Sequence, residues 1–336
     1  MTFTKQNAER KAPRLLVLIT LPMVLILITG CQKISPEPVK TMEVKPAEVK
    51  PAEVKPAEAN LAGAEPGQTV SFHDKCAGIL KNYVDDKGMV DYKTLKRKKL
   101  ELNHLLDEFA KLNPDVYNSW SKEDKIAFWL NAYNIKMLKI IIDNYPIQSQ
   151  RILRVLWGPD SIRHIEGIWD KHKFTVMNEE FTLKEIEQRF FRKEFDEPRV
   201  FFAISYASLS SPPLRNEPYY GCRLYEQLDD QAKKFLSSPL AFRIDREKQI
   251  VHLSAIFHPT WYGEEFISKY GTDKKFKDQP PPLRAVLNLA TNYISEQDLF
   301  FLERENYSVK YITYNWTLND SPSSMNNEQR TTNYKQ

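Results

Sequence analysis

The chain has 336 residues, 42% of them hydrophobic and 12% aromatic, which is enough apolar surface for a sizeable core and too much for a chain that is disordered throughout. Ten glycines without a G-x-G-x-x-G or G-x-x-x-x-G-K pattern argue against a Rossmann or P-loop nucleotide site, and three cysteines cannot build a disulfide scaffold. Most of the formal net charge of +4 lies in residues 1–30; without them the net charge is +1, and no basic stripe is left to recruit nucleic acid.

Lys5, Arg10, Lys11 and Arg14 precede an apolar run from Leu15 to Thr29 that Pro22 interrupts. A membrane span needs about 20 such residues, so the run reads as the core of a secretory signal over residues 1–30. Its end, Ile28-Thr29-Gly30-Cys31, resembles the bacterial lipoprotein signal, in which an aliphatic and two small residues precede a cysteine. The resemblance implies cleavage before Cys31, a diacylglycerol on its thiol and acylation (for example by palmitate) of the new amine. Several chains anchor firmly, since each buried CH₂ contributes about 0.8 kcal/mol. Gln32, where an Asp would retain the protein, implies the periplasmic face of the outer membrane of a Gram-negative bacterium. Residues 31–70 then form a tether. Glu-Val-Lys-Pro-Ala occurs at 43–47, 48–52 and 53–57, and its regular prolines block helix and sheet while the charges keep it solvated. Extended at ~3.1 Å per residue, the tether reaches on the order of 100 Å.

One globular domain is expected over 71–318. Helical spacing of Cys76, Ile79, Leu80 and Tyr83 predicts a helix over 74–85, followed by a short strand at Met89–Tyr92 and a second helix over 94–112. Ser121 and Asp124 make a helix start, and Ile126 to Ile142 is apolar nearly all round, so this helix is expected to be central and to stop before Pro146. Further helices are predicted at 182–194, 224–237, 260–270 and 282–302. Strands are predicted at Phe174–Met177, Val200–Ser205, Phe242–Ile244, Ile250–Leu253 and Ser308–Tyr314. The fold class expected is α+β, a single helix-rich domain around a small, mostly antiparallel sheet. Residues 319–336 lack an apolar period and read as a disordered tail.

Several blocks occur in a telling order: Ala127-Phe128-Trp129-Leu130-Asn131-Ala132-Tyr133-Asn134, Leu183-Lys184-Glu185-Ile186-Glu187, Asp196-Glu197-Pro198-Arg199-Val200-Phe201-Phe202-Ala203, Ser211-Pro212-Pro213-Leu214-Arg215, Leu253-Ser254-Ala255-Ile256-Phe257 and Tyr314-Asn315-Trp316. With the opening at 83–92 they resemble the domain-of-unknown-function 547 family over essentially all of 71–316. The family pattern places a Cys before Pro-Pro-Leu-Arg, often a second Cys five residues earlier, and a His directly after Ile-Glu. A thiol with an imidazole base is what a cysteine nucleophile needs, so the resemblance implies a papain- or transglutaminase-like arrangement. This chain has Ser211, Tyr206 and Gln188 at those positions. Gln is no general base near neutral pH. The resemblance therefore implies a pocket that has lost cysteine chemistry and binds a periplasmic ligand or partner. The alternative is a hydrolase or an acyl or peptidyl transferase that uses Ser211 or other groups.

Ser211 lacks a G-x-S-x-G elbow and stands before two prolines, where a turn serine is ordinary. Glu187 either orients a ligand or forms a salt bridge, with Arg215 or Arg199 as partner. Arg215 either clamps a carboxylate or holds its turn. Asn131 and Asn134 lie on one helix face, where they tie down a loop or contact a ligand. The candidate ligand-binding set is thus Asn131, Asn134, Glu187, Gln188, Tyr206, Ser211 and Arg215, with Ser211 and Glu187 as catalytic candidates. The six histidines form no H-E-x-x-H or Cys/His zinc pattern, and neither a metal nor another cofactor is expected. Cys76 and Cys222 are expected as separate free thiols, although an oxidising periplasm would permit a bond between them.

Overall fold

Ser121 starts the central element. Its hydroxyl accepts the Asp124 N–H at 3.0 Å, and helix α5 runs from Lys122 to Asn144 with Ile126–Leu138 and Ile140–Ile142 all buried. The computed structural model describes residues 71–149, 151–258, 266–272 and 274–321. The signal, Cys31, the tether, the first part of the helix expected over 260–270 and residues 322–336 lie outside the described residues. Within them the fold is α+β, with many helices and small sheets of two and three strands. It is built around α5 rather than around a sheet, because only a helix apolar on every side can be covered on every side.

Upstream of α5, a 3-10 turn Phe72–Cys76 leads into α1 (Ala77–Tyr83). The helix expected over 94–112 is two, α2 (Tyr92–Arg97) and α3 (Lys99–Lys111), broken at Lys98. The expected strand at 89–92 is reduced to isolated bridges of Val90 to Val84 and Asp320, since α2 already begins at Tyr92 with Asp91 as its cap. A short α4 (Pro114–Asn118) precedes α5, and α6 (Arg151–Trp157) follows it; neither was expected.

Strands β1 (Phe174–Val176) and β2 (Glu179–Phe181) form an antiparallel hairpin through Met177 and Asn178, both in the left-handed region. Helix α7 (Leu183–Ile186) starts in a capping box: the Thr182 hydroxyl accepts the Glu185 N–H, and the Glu185 carboxylate accepts the Thr182 N–H. The helix then widens into a π-helical segment, Glu187–Glu194, where the Phe195 N–H reaches the Phe190 carbonyl at 2.9 Å. The Phe190 ring stacks on Trp129 of α5 with centroids 3.7 Å apart, which fixes this segment against the central helix.

The strand predicted at Val200–Ser205 is instead a helix, α8 (Val200–Ala203), buried on all sides. A short, fully apolar run has no period by which strand and helix can be told apart, and here the Phe201 N–H folds back onto the Pro198 carbonyl. Helix α9 (Leu224–Leu236) follows the expected span. Strands β3 (Phe242–Asp245), β4 (Ile250–Ser254) and β5 (Ser308–Ile312) make a second sheet, with β3 antiparallel and β5 parallel to β4. Between β4 and β5 lie α10 (266–270), α11 (Pro281–Ala290) and α12 (Glu296–Glu303). The single helix expected over 282–302 is therefore two. The first ends at Ala290, and Ser295 caps the second by accepting the Asp298 N–H.

The chain remains packed past residue 318, so the tail does not begin at 319. The Asn319 side chain accepts the Tyr92 hydroxyl and donates to the Gly88 carbonyl, each at 2.8 Å, and Asp320 accepts the Tyr145 hydroxyl at 2.7 Å. These polar contacts replace the apolar period by which a packed segment is usually recognised. No described helix is long and apolar enough to cross a membrane.

Candidate functional site

Two asparagines hold the segments beneath the site. Asn131 accepts the Tyr219 N–H and donates to the Tyr219 carbonyl, both at 2.9 Å. Asn134 donates to the Ala203 carbonyl and accepts the Ser205 N–H, again both at 2.9 Å. Each amide pairs with a loop backbone as a neighbouring strand would. Both residues are buried and tie loops to α5.

From Ser205 the chain turns through Ala207, at φ +52°, into the 208–213 segment. A non-glycine residue in this region is strained, and the strain persists because the surroundings over-determine it. Ser211 supplies part of that determination. Its Oγ accepts the Tyr206 N–H at 2.7 Å and donates to the Pro212 carbonyl at 3.0 Å, and the Tyr314 hydroxyl bonds to Ser208 at 3.1 Å. The Ser211 hydroxyl is thus spent on the turn. It lines a cleft of about 230 Å³ with Met89, Ser208, Pro212 and Lys234, and no histidine is among the lining residues.

A different, larger cleft of about 470 Å³ is lined by Trp169, Asp170, Lys184, Glu187, Arg192, Tyr206 and Trp316. The Trp169 carbonyl accepts the Lys184 N–H at 2.9 Å, tying one wall to the start of α7, and the Trp316 carbonyl accepts the Ile162 N–H at 3.1 Å. The two indoles meet edge to face with centroids 5.7 Å apart, and Tyr314 lies 4.2 Å from Trp316. Glu187 forms the base. Its Oε1 accepts the Tyr133 hydroxyl of α5 at 2.7 Å. Burial pushes the Glu187 carboxyl above its usual range, against the opposing pull of the Tyr133 hydroxyl and the Arg192 charge. Burial likewise raises the Tyr133 hydroxyl, helped by Glu187, Tyr206 and Tyr314 nearby.

The π-helical segment explains which side chains meet here. Its bonds join residues five apart, so Glu187 and Arg192 share one face and one cleft. Gln188 and Lys193 share the next face and line a separate cleft with Glu179, Glu180, Glu185 and Arg189. The expectation that Ser211 and Gln188 border one pocket therefore fails: they line separate clefts, and it is Glu187 that turns inward beside Tyr206. The expected salt bridges of Glu187 are absent as well, because both arginines are engaged elsewhere. Arg215 bonds to Glu217 at 2.5 Å and to Asp230, and Arg199 bonds to Glu197 and Asp229, each at 2.7 Å. Through these pairs Arg215 holds its turn.

Of the seven candidate residues, the structure brings Glu187 and Tyr206 together in one cleft. Reasoning from sequence missed Trp169, Lys184, Arg192, Trp316 and the supporting Tyr133; Tyr133, Lys184 and Trp316 stand inside the ordered blocks, whereas Trp169 and Arg192 lie in none of them. Among the described residues no group of three or more His, Cys, Asp or Glu is placed to hold a metal ion. Cys76 is buried and Cys222 exposed, both as free thiols.

No curated protein and no solved structure matches the chain. A family model does, over residues 117–236. That span takes in α5, the π-helical segment and the Ser211 turn, and is narrower than the 71–316 that the sequence blocks suggested. Over that span the chain matches the family described as "Protein of unknown function, DUF547".

Proposed function

We propose that this chain is a lipoprotein anchored through Cys31 to the periplasmic face of the outer membrane, whose domain binds a small ligand in the Trp169–Trp316 cleft without turning it over. The basic segment, the apolar run and Ile28-Thr29-Gly30-Cys31 support the anchor, and the proline-spaced tether supports a domain held away from the bilayer. The observation that carries the binding reading is the cleft itself: two indole walls over a half-buried carboxyl held by the Tyr133 hydroxyl. A few polar groups converging in a concave, aromatic-lined space are what small-molecule sites provide. The absence of turnover is supported at Ser211, whose hydroxyl serves the backbone of its own turn.

Three experiments test the reading. In fractionated cells the wild type should be found with the outer membrane, while Cys31→Ala should be released or left uncleaved; a wild type fully soluble in the periplasm refutes the anchor. In a thermal-shift screen of the detergent-solubilised full chain against small polar metabolites, at least one compound should raise the Tm of the wild type and not of Trp169→Ala. Stoichiometric labelling of Ser211 by a serine-directed activity probe would refute the non-catalytic reading.

A further inference from the structure

Resting on the cleft-binding reading, we propose that the Trp169–Trp316 cleft takes an organic carboxylate with an apolar or ring-bearing body, its carboxylate set against Glu187, Arg192 and Lys184. The π-helical register presents Glu187 and Arg192 on one face, and Lys184 lines the same cleft from the turn before. Tyr133 already donates to Oε1 of Glu187. A buried carboxyl in its neutral form keeps its acid proton on the other oxygen and acts there as a donor. The guanidinium of Arg192 and the ammonium of Lys184 give the cleft two cationic donors, and burial, which raises the Glu187 carboxyl, favours the form that adds an acid hydroxyl to them. An anionic acceptor satisfies such a set with charge-assisted hydrogen bonds.

The remaining features restrict the ligand further. Asp170 at the exposed edge disfavours a second anionic group on the ligand. The indoles offer their surface to an apolar body. A cationic ligand would have to enter beside Lys184 and Arg192, with the Arg163 guanidinium already 5.8 Å from the Trp316 ring. The space of about 470 Å³ fits a small molecule rather than a folded partner. The groups that face Glu187 and govern its protonation are Tyr133 from α5, Arg192 from its own segment and Tyr206 from the turn after α8, with Lys184 and Asp170 in the same cleft.

The test is a tryptophan-fluorescence titration of the detergent-solubilised full chain with three probes: hippurate, its neutral analogue hippuramide, and benzylammonium. Hippurate should bind at pH 6 at least about tenfold more tightly than hippuramide, the factor that one charge-assisted hydrogen bond supplies. Its affinity should fall as the pH rises and Glu187, whose carboxyl burial holds above its usual range, loses its proton. Glu187→Gln keeps a donor and should flatten that dependence. Lys184→Met, an exposed change that spares the core, should weaken hippurate and leave hippuramide unchanged. Equal or tighter binding of hippuramide or benzylammonium overturns the inference, as does a pH dependence that survives in Glu187→Gln. If either of those probes binds the wild type and not Trp169→Ala, the carboxylate assignment falls while the cleft-binding reading stands. If no probe changes the fluorescence, the inference falls, and the thermal-shift screen decides the binding reading separately.

Discussion

Asn131→Leu keeps the side-chain volume near that of the amide but removes its hydrogen bonds, in a place water cannot enter. Asn131 is 2% exposed and Tyr219 is 1% exposed. The change leaves the N–H and the carbonyl of Tyr219 both unpaired. Each orphaned buried group costs about 1–3 kcal/mol, so the loss should be about 2–6 kcal/mol, a large part of the ~5–15 kcal/mol that holds a typical domain together. Asn134→Leu should cost less, at about 1–3 kcal/mol. It orphans the Ser205 N–H, but the Ala203 carbonyl keeps the Tyr219 hydroxyl at 3.3 Å. Adding Tyr219→Phe to Asn134→Leu removes that remaining donor, so the double variant should lose more than the two singles together, by roughly 0.5–3 kcal/mol. Urea unfolding followed by circular dichroism measures all four proteins, with exposed Asn118→Ala as control. The clamp argument is refuted if Asn131→Leu lies within about 0.5 kcal/mol of that control, the range of an ordinary surface substitution. It is equally refuted if the Asn134–Tyr219 pair is additive.

Three further outcomes are expected. Gly88 sits at φ +78°, and a Cβ there would fall 2.7 Å from Pro213 Cβ and 2.8 Å from the Leu214 nitrogen; Gly88→Ala should therefore lower the unfolding midpoint more than Gly78→Ala, where no atom lies within 4 Å, and equal midpoints would contradict the contact. Burial lowers the His73 pKa from its ordinary 6.5 despite the nearby Asp124 carboxylate, so the unfolded chain takes up the proton first; the stability this histidine contributes should be full above pH ~6.5 and fall as the pH drops below it, and a wild type and His73→Gln that lose stability in parallel between pH 7.5 and 5.5 would exclude it. Cys222 is exposed while Cys76 is buried with its thiol pushed well above the usual range, so maleimide should label Cys222 in the native protein and Cys76 only after denaturation, as mass spectrometry of the digested protein reports.

What the sequence determined by itself was whatever depends on neighbours along the chain. The all-round apolar face of Ile126–Ile142 set α5 at the centre, the Ser121 and Thr182 caps set where helices begin, and alternating residues set β3 and β4. Ordered blocks sufficed for the family match over residues 117–236, since a family is itself a pattern along the chain. Tertiary structure decided the rest. Val200–Ala203 has the composition of a strand and became a helix because a run buried on every side carries no period. Asn319 and Asp320 are polar and nevertheless packed, because their partners Gly88, Tyr92 and Tyr145 are more than 170 residues away in sequence. The cleft depends on such distances even more. Trp169 and Trp316 meet only in the folded chain, and the π-helical register chose Glu187 over Gln188 as the inward carboxyl or amide. A reading at 3.6 residues per turn puts positions 187 and 192 on different faces, whereas a segment bonded between residues five apart unites them. The stacking of Phe190 on Trp129 of α5 fixes that wider turn against the core, and no local pattern encodes it.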